Sequence, residues 1–307
     1  MRMSEAVPSR LIPGATELTL RTSGLAFTAH EIGAGPLVLL IHGFPDGPAT
    51  WRDVAPRVAE AGFRCVAVTL RGYQATSLSP EGQYRLADLA GDVASWIEGL
   101  GEQQAHLIGH DWGATIAFAA TVHQPERVAS LSMISVPNPM RFGTAVGQDK
   151  AQMKRSSYIM FFQLGGLSDW WVGRRNAAFV ERLWRKWSPG WTPDPPALSD
   201  ARSRFSVRSV RSAALAYYRQ ALDRSAAAGP SHALLAGTVQ CPVLGLIGEN
   251  DQCISADIFR TSMVQDDFPG GMTVGTVSGA GHFVQLERAA EVAERLVTFL
   301  TTSTRSG

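Results

Sequence analysis

Cysteine and lysine are scarce in this chain, and long hydrophobic runs are missing. The three cysteines among 307 residues, Cys65, Cys241 and Cys253, cannot make a disulfide-dense scaffold and suit a reducing compartment, so a cytoplasmic protein is expected. The apolar run Leu37-Val38-Leu39-Leu40-Ile41 stops at His42, far short of the roughly 18 residues of a membrane span. Residues 1–14 carry Glu5, Pro8, Arg10 and Pro13 with no apolar core, so they do not read as a secretory leader. Excess charge of one sign is absent too: 28 Lys and Arg stand against 27 Asp and Glu, a formal net charge of +1. That balance argues against nucleic acid as a partner of the whole molecule. The only lysines are Lys150, Lys154 and Lys186, an arginine bias to which we attach no functional weight. The 30 glycines follow no three-residue period and 45% of the chain is hydrophobic. A collagen-like or disordered chain is thereby excluded, and a large core is possible.

What is present is an alternation of short apolar runs with longer helical patterns, the signature of a mostly parallel sheet covered by helices. Two strands are expected over 17–32 around a Ser23-Gly24 turn. Further strands are expected at 37–41, 65–70, 105–108, 128–134, 243–247 and 273–277, making eight. Helices are expected over 84–100, where Leu86, Leu89, Val93 and Ile97 share a face, over 114–122 and over 289–300. From 142 to about 233 the alternation gives way to helical, aromatic sequence holding 13 of the chain's 26 aromatic residues. The chain therefore reads as one α/β domain, residues 1–138 and 233–307, interrupted by a helical insertion over 139–232. That insertion carries 15 Lys and Arg against 6 Asp and Glu, a net +9, leaving −8 for the rest. Basic helix faces docked on an acidic core are the expectation, with an anion-attracting surface as the alternative.

The strongest chemical signal is the strand-to-helix turn Gly109-His110-Asp111-Trp112-Gly113-Ala114. Lifting one side chain above a sheet in a sharp turn forces that residue toward positive φ and demands small neighbours on either side. Asp tolerates that region better than most residues; the alternative is an Asp that only caps the helix.

Four motifs in order carry a resemblance: His42-Gly43-Phe44-Pro45-Asp46, Gly109-His110-Asp111-Trp112-Gly113, Gly248-Glu249-Asn250-Asp251 and Gly281-His282-Phe283. Together they resemble the α/β-hydrolase superfamily, in the branch of Asp nucleophiles that contains epoxide hydrolases and haloalkane dehalogenases, and they span essentially the whole core. The resemblance implies an α/β-hydrolase fold with a helical cap and neither cofactor nor metal. It implies Asp111 as nucleophile, His282 as the base that activates water and Asp251 as its orienting acid, with Glu249 a competitor for the acid role. Backbone N–H groups of Phe44 and Trp112 would form the oxyanion hole. His42 and Pro45 would shape that loop, with a cis Phe44–Pro45 bond.

Leaving-group chemistry separates the two branches. Dehalogenases resemble one another in holding halide between Trp after the nucleophile and a second Trp or Asn donor. Here Trp112 is present, but Phe44 offers no side-chain donor. A departing alkoxide needs a proton, and epoxide hydrolases supply it from two cap tyrosines. Tyr158-Ile159-Met160-Phe161-Phe162-Gln163 and Tyr217-Tyr218-Arg219 resemble the two segments that hold them, giving Tyr158 and Tyr218, with Tyr217 in a packing position. The alternative is that these rings only anchor helices. One departure is Gln74-Ala75-Thr76-Ser77 after Arg71-Gly72-Tyr73, where many relatives have a tighter turn; the wall near that loop is expected to differ. Trp112-Gly113 also disfavours the variant that places Arg after the nucleophile to hold fluoroacetate.

The sequence therefore points to an epoxide hydrolase acting on a small apolar epoxide and water. A haloalkane dehalogenase is the alternative, and a non-catalytic ligand-binding protein of the same fold a more distant one. Monomer and dimer both remain open.

Overall fold

Each apolar run becomes a strand. The computed structural model describes residues 7–22 and 24–305, and within them nine strands form one sheet. These are β1 (Val7–Pro8), β2 (Thr16–Thr22), β3 (Leu25–Ile32), β4 (Leu37–Ile41), β5 (Arg64–Val68), β6 (Ala105–His110), β7 (Val128–Ile134), β8 (Val243–Gly248) and β9 (Met272–Val277). Their order is β1-β2-β3-β5-β4-β6-β7-β8-β9. The pairs from β1 to β3 and the β3–β5 pair are antiparallel, and all the others are parallel. The strand beyond the expected eight is β1, two residues whose register Val7 to Glu17 and Pro8 to Thr16 no sequence period could reveal. Ser23, expected in the turn between β2 and β3, lies outside the described residues; Gly24 follows with φ 75°.

Strand alternation builds two cores. Leu37, Leu39 and Ile41 of β4 join Val66 and Val68 of β5 on one face, while Val38, Leu40, Cys65 and Ala67 join the other, as a period of two requires. Helices Leu86–Gly99 and Trp112–His123 cover the first face through Leu89, Val93, Ile116 and Phe118. Helices Ala55–Glu60 and Ala289–Arg305 cover the second through Val58, Val292, Leu296 and Leu300. Parallel strands point their carboxyl ends the same way, so the loops after β4, β6 and β8 gather at one edge, where open α/β sheets place their sites. Among the described residues no helix is long and apolar enough to cross a membrane.

Between β7 and β8 the chain is helical: Pro139–Gln148, Lys150–Arg155, Tyr158–Phe162, Leu167–Trp187, Pro195–Ser206, Arg208–Ala221 and Gly229–Leu235. A boundary at 232/233 falls inside the last of these, which packs against the helices Leu86–Gly99 and Trp112–His123. The helix Leu167–Trp187 is broken at 174–177, where Arg175, Asn176 and Ala177 take φ of 51–53°.

The seam between this segment and the sheet is aromatic. The Phe44 ring meets Phe162, Phe205 and Tyr218 edge-on at centroid distances of 5.4, 5.3 and 5.1 Å. The ion pairs across it do not follow the expected charge split. Among the described residues, Arg52–Asp194 and Arg85–Asp223, each 3.0 Å, place the positive charge on the core, and only Arg141–Asp267 runs the other way. Partly exposed pairs contribute about 0.2–1 kcal/mol each, so apolar contact dominates the docking.

The Arg71–Asp92 pair differs in being buried, 7% and 2% exposed, and bidentate at 2.6 and 2.7 Å. Tyr217 Oη donates to the Arg71 carbonyl at 2.6 Å, so the pair also supports the segment above. Asp92→Ala strands a buried guanidinium and is expected to cost about 3–5 kcal/mol. Urea denaturation measures this directly, and an unchanged midpoint would refute the assignment of a buried, unsolvated pair.

Candidate active site

The turn after β6 is as tight as its residue types demand. Asp111 has φ 53° and ψ −120° and leads directly into the helix Trp112–His123. A Cβ on Gly109 would stand 2.2 Å from the Gly113 carbonyl oxygen, and one on Gly113 would stand 2.0 Å from that of Ile41. Gly43 faces the turn from the neighbouring loop, where a Cβ would lie 2.5 Å from Asp111 Cβ. Small residues at all three positions let the backbone carry a conformation that costs of order 1–3 kcal/mol.

Asp111 is only 5% exposed. Its Oδ1 accepts the Phe44 backbone N–H at 2.8 Å, while its Oδ2 stands 3.5 Å from His282 Nε2. The side chain makes no capping bond to its own helix, so Trp112 N–H does not engage it as Phe44 N–H does. The helix N-terminus still favours negative charge here. The Phe44–Pro45 peptide is cis. His42 is buried behind it, with Nδ1 donating to the Gly43 carbonyl (3.0 Å) and Nε2 accepting from Leu70 N–H (3.1 Å). Burial pushes its pKa down to about 3, so the ring is a neutral strut between two loops.

His282 Nδ1 lies 2.8 Å from Asp251 Oδ2. Asp251 Oδ1 in turn accepts the N–H groups of Cys253 and Ile254 at 2.6 and 3.0 Å. Glu249, the sequence competitor, is at the surface and accepts from Ser278 Oγ and Gly279 N–H. The His282 backbone is held on both sides: its carbonyl accepts from Ser135 Oγ (2.7 Å) and His110 Nε2 (3.0 Å), and its N–H donates to Ser188 Oγ (2.9 Å). Burial alone would lower the His282 pKa. The Asp251 charge and the proximity of Asp111 outweigh it and raise the pKa to about 10.

Tyr158 and Tyr218 stand over Asp111 from the helical segment, their rings 5.8 Å apart. Tyr218 packs edge-on against Phe44 and Trp112 at 5.1 and 5.2 Å, and Tyr158 meets Trp187 at a tilt of 54° and 5.2 Å. Tyr158 Oη is 3.6 Å from Cys253 Sγ. Burial raises both phenols well above their ordinary value, so both keep their protons near neutrality. Together with Asp111 they line a cavity of about 280 Å³ whose other walls include Phe142, Leu222 and Leu235.

The two tyrosine segments are also tied to each other. Gln163 Nε2 donates to the Tyr218 carbonyl at 3.1 Å, and Arg219 Nε to the Phe162 carbonyl at 2.9 Å. The Gln and Arg that accompany the tyrosines in sequence are thus the cross-links that set their spacing. The Tyr217 ring also lines the cavity, but its hydroxyl is taken up by the Arg71 carbonyl. Sequence reasoning missed Ser135, Ser188 and Glu287 around His282, because small polar residues far apart in the chain carry no periodic or motif signal. Among the described residues no cluster of His, Cys, Asp or Glu is placed to hold a metal ion.

Residues 36–289 match the alpha/beta hydrolase fold family. The chain is 29% identical to an epoxide hydrolase of Caballeronia sordidicola, over 96% of each chain. It is 30% identical to human epoxide hydrolase 4, over 93% of this chain and 78% of that one. Among solved structures, epoxide hydrolase A from Mycobacterium thermoresistibile superposes with a TM-score of 0.80 at 27% identity, covering 94% of this chain and 98% of that one.

The raised His282 pKa has a signed consequence. Its stabilising contribution is complete below the ordinary value of 6.5 and is lost as pH climbs through about 10. The thermal-midpoint advantage of the wild type over His282→Gln should shrink across that window. A constant advantage from pH 6.5 to 10 would mean that the resting imidazole is neutral.

Proposed function

This chain belongs to the α/β-hydrolase fold family, in its epoxide hydrolase branch, and on that premise we propose that it adds water to a small apolar epoxide to give a vicinal diol through an ester on Asp111. The observation that carries the proposal is the cavity in which two protonated phenols and one carboxylate face each other across apolar walls. The insertion, taken as residues 139–232, is the cap that supplies the phenols.

In the first step Asp111 Oδ2, which no backbone donor occupies, attacks one ring carbon. A C–O ester bond forms as the ring C–O bond breaks. The ring oxygen takes a proton from Tyr158 or Tyr218, whose apolar setting makes loss of that proton costly unless the partner is as basic as an alkoxide. Oδ1 stays against Phe44 N–H as the ester carbonyl.

Esterification removes the Asp111 charge. With it goes part of what holds His282 protonated, so the imidazole pKa falls toward neutrality and the ring becomes a base when a base is needed. Water then attacks the Asp111 carbonyl carbon as His282 Nε2 takes its proton. The negative charge that develops on Oδ1 is met by Phe44 N–H, with Trp112 N–H as second donor. Collapse breaks the acyl bond between Asp111 Cγ and Oδ2, so Oδ2 leaves with the alkyl group as a diol oxygen and takes a proton from the His282 imidazolium; the oxygen of water stays on Asp111, whose carboxyl gives up its proton, and the phenolate regains its own. Asp251 holds the ring orientation and balances the imidazolium.

Phe44 weighs against halide as the leaving group, since the only donor it offers is its backbone N–H, already bonded to Asp111. Release of halide from a 1-haloalkane is the direct check on that alternative, and turnover of any epoxide disposes of a purely binding role.

Single turnover in oxygen-labelled water should place label in Asp111; label passing directly into the diol would remove the ester from the mechanism. Tyr158→Phe and Tyr218→Phe should each lower ring opening, by about 10²–10⁴-fold if that phenol is the principal donor. The double variant should abolish it. Little loss in the double variant would move the proton donor elsewhere.

A further inference from the structure

The helix Leu167–Trp187 reaches the core at a point that none of the steps above uses. Ser188, which follows it, is fully buried. Its Oγ accepts the backbone N–H groups of His282 and Phe283 at 2.9 and 3.3 Å and donates to Glu287 Oε1 at 2.6 Å. A hydroxyl has one donor and two acceptor sites, so this one is fully used. Glu287 closes the same loop from below, accepting Phe283 N–H at 3.1 Å and Gly281 N–H at 2.8 Å.

The preceding carbonyl, that of Trp187, accepts from Gln252 N–H at 3.1 Å and His282 N–H at 3.3 Å. One turn earlier, Trp184 Nε1 donates to the Pro45 carbonyl at 3.1 Å. Gly281 permits the approach, because a Cβ there would stand 2.4 Å from Ser188 Cα. One helix end is therefore bonded to the loops that carry His282, Asp251 and Phe44.

We propose that Ser188, held by Glu287, is a positioning residue for His282, so that the insertion aims the base that cleaves the ester as well as covering the cavity. The proposal rests on the ester mechanism above. His282 Nε2 must lie within reach of a water beside Asp111, and its ring direction follows from the backbone that Ser188 and Glu287 fix. Ring opening depends on Asp111, Tyr158 and Tyr218, which Ser188 does not touch.

Loss of the hydroxyl should slow only the second half-reaction. Ser188→Ala is expected to lower kcat by about 10–100-fold, the scale of a small misplacement of a reacting group. KM should fall in parallel, because the ester accumulates, and kcat/KM should hold. Ser188→Thr, which keeps the hydroxyl, should restore kcat. Glu287→Gln, which replaces an acceptor by a donor while keeping its shape, should give the same pattern even if Ser188→Ala folds poorly. Quenched samples analysed by mass should show substrate attached to Asp111 in these variants and in His282→Gln. An unchanged kcat in Ser188→Ala and Glu287→Gln, or a kcat/KM that falls with kcat as a loosened cap would produce, overturns the proposal. Ester in His282→Gln but in neither of those variants also overturns it. No ester in any variant, His282→Gln included, overturns the mechanism on which the proposal rests.

Discussion

The strained backbone at Asp111 is the constraint on which the site depends. Its positive φ projects the carboxylate above the sheet edge, and that conformation survives only because Gly109, Gly113 and Gly43 leave no side chain in the way. The sheet register supplies the enclosure. Gly109 pairs with Ile41 on one side and Met133 on the other, so the strained residue emerges between two interior strands of the sheet. Strain of this kind persists where surrounding structure over-determines it, and here it fixes where every other group must converge.

Two groups converge from the core and two from the insertion. Phe44 N–H and His282 approach opposite oxygens of one carboxylate, which leaves the two oxygens chemically distinct before any substrate arrives. The tyrosines descend on a seam of edge-on aromatic contacts around Phe44. The residue whose backbone N–H meets Asp111 is thus also the residue on which the insertion packs, so that N–H and the two phenols share one rigid reference.

Electrostatics then gives the site an order of events. Three ionisable groups, Asp111, His282 and Asp251, lie in a chain with little solvent, and a charge lost at one end is felt at the imidazole. Burial works in opposite senses across the cavity: it holds the phenols protonated, while for His282 it is overcome by neighbouring carboxylates. The proposed mechanism uses this contrast, with a nucleophile, an acid and a latent base coexisting near neutral pH.

Strands and helices were legible because alternation of apolar residues is a local property: Leu37 to Ile41 could only be a strand buried on both faces. β1 was not, since two residues carry no period. The sharp turn at Asp111 was legible for the same local reason, because its glycines sit two residues to either side. Adjacent carboxylates were a different matter. Glu249 and Asp251 follow the same strand, and only the path of the loop turns one toward Ser278 and the other toward His282. Charge was misleading, because net charge sums residues without saying which faces meet; among the described residues the insertion's aspartates, rather than its arginines, make two of its three ion pairs to the core. By itself the sequence determined the kinds of element, the turn and the candidate groups, all of which follow from near neighbours in the chain. Only the tertiary structure decided which carboxylate meets which nitrogen and that Ser188 reaches His282, since those contacts join residues as far apart in the chain as Asp111 and His282 and depend on how the elements pack.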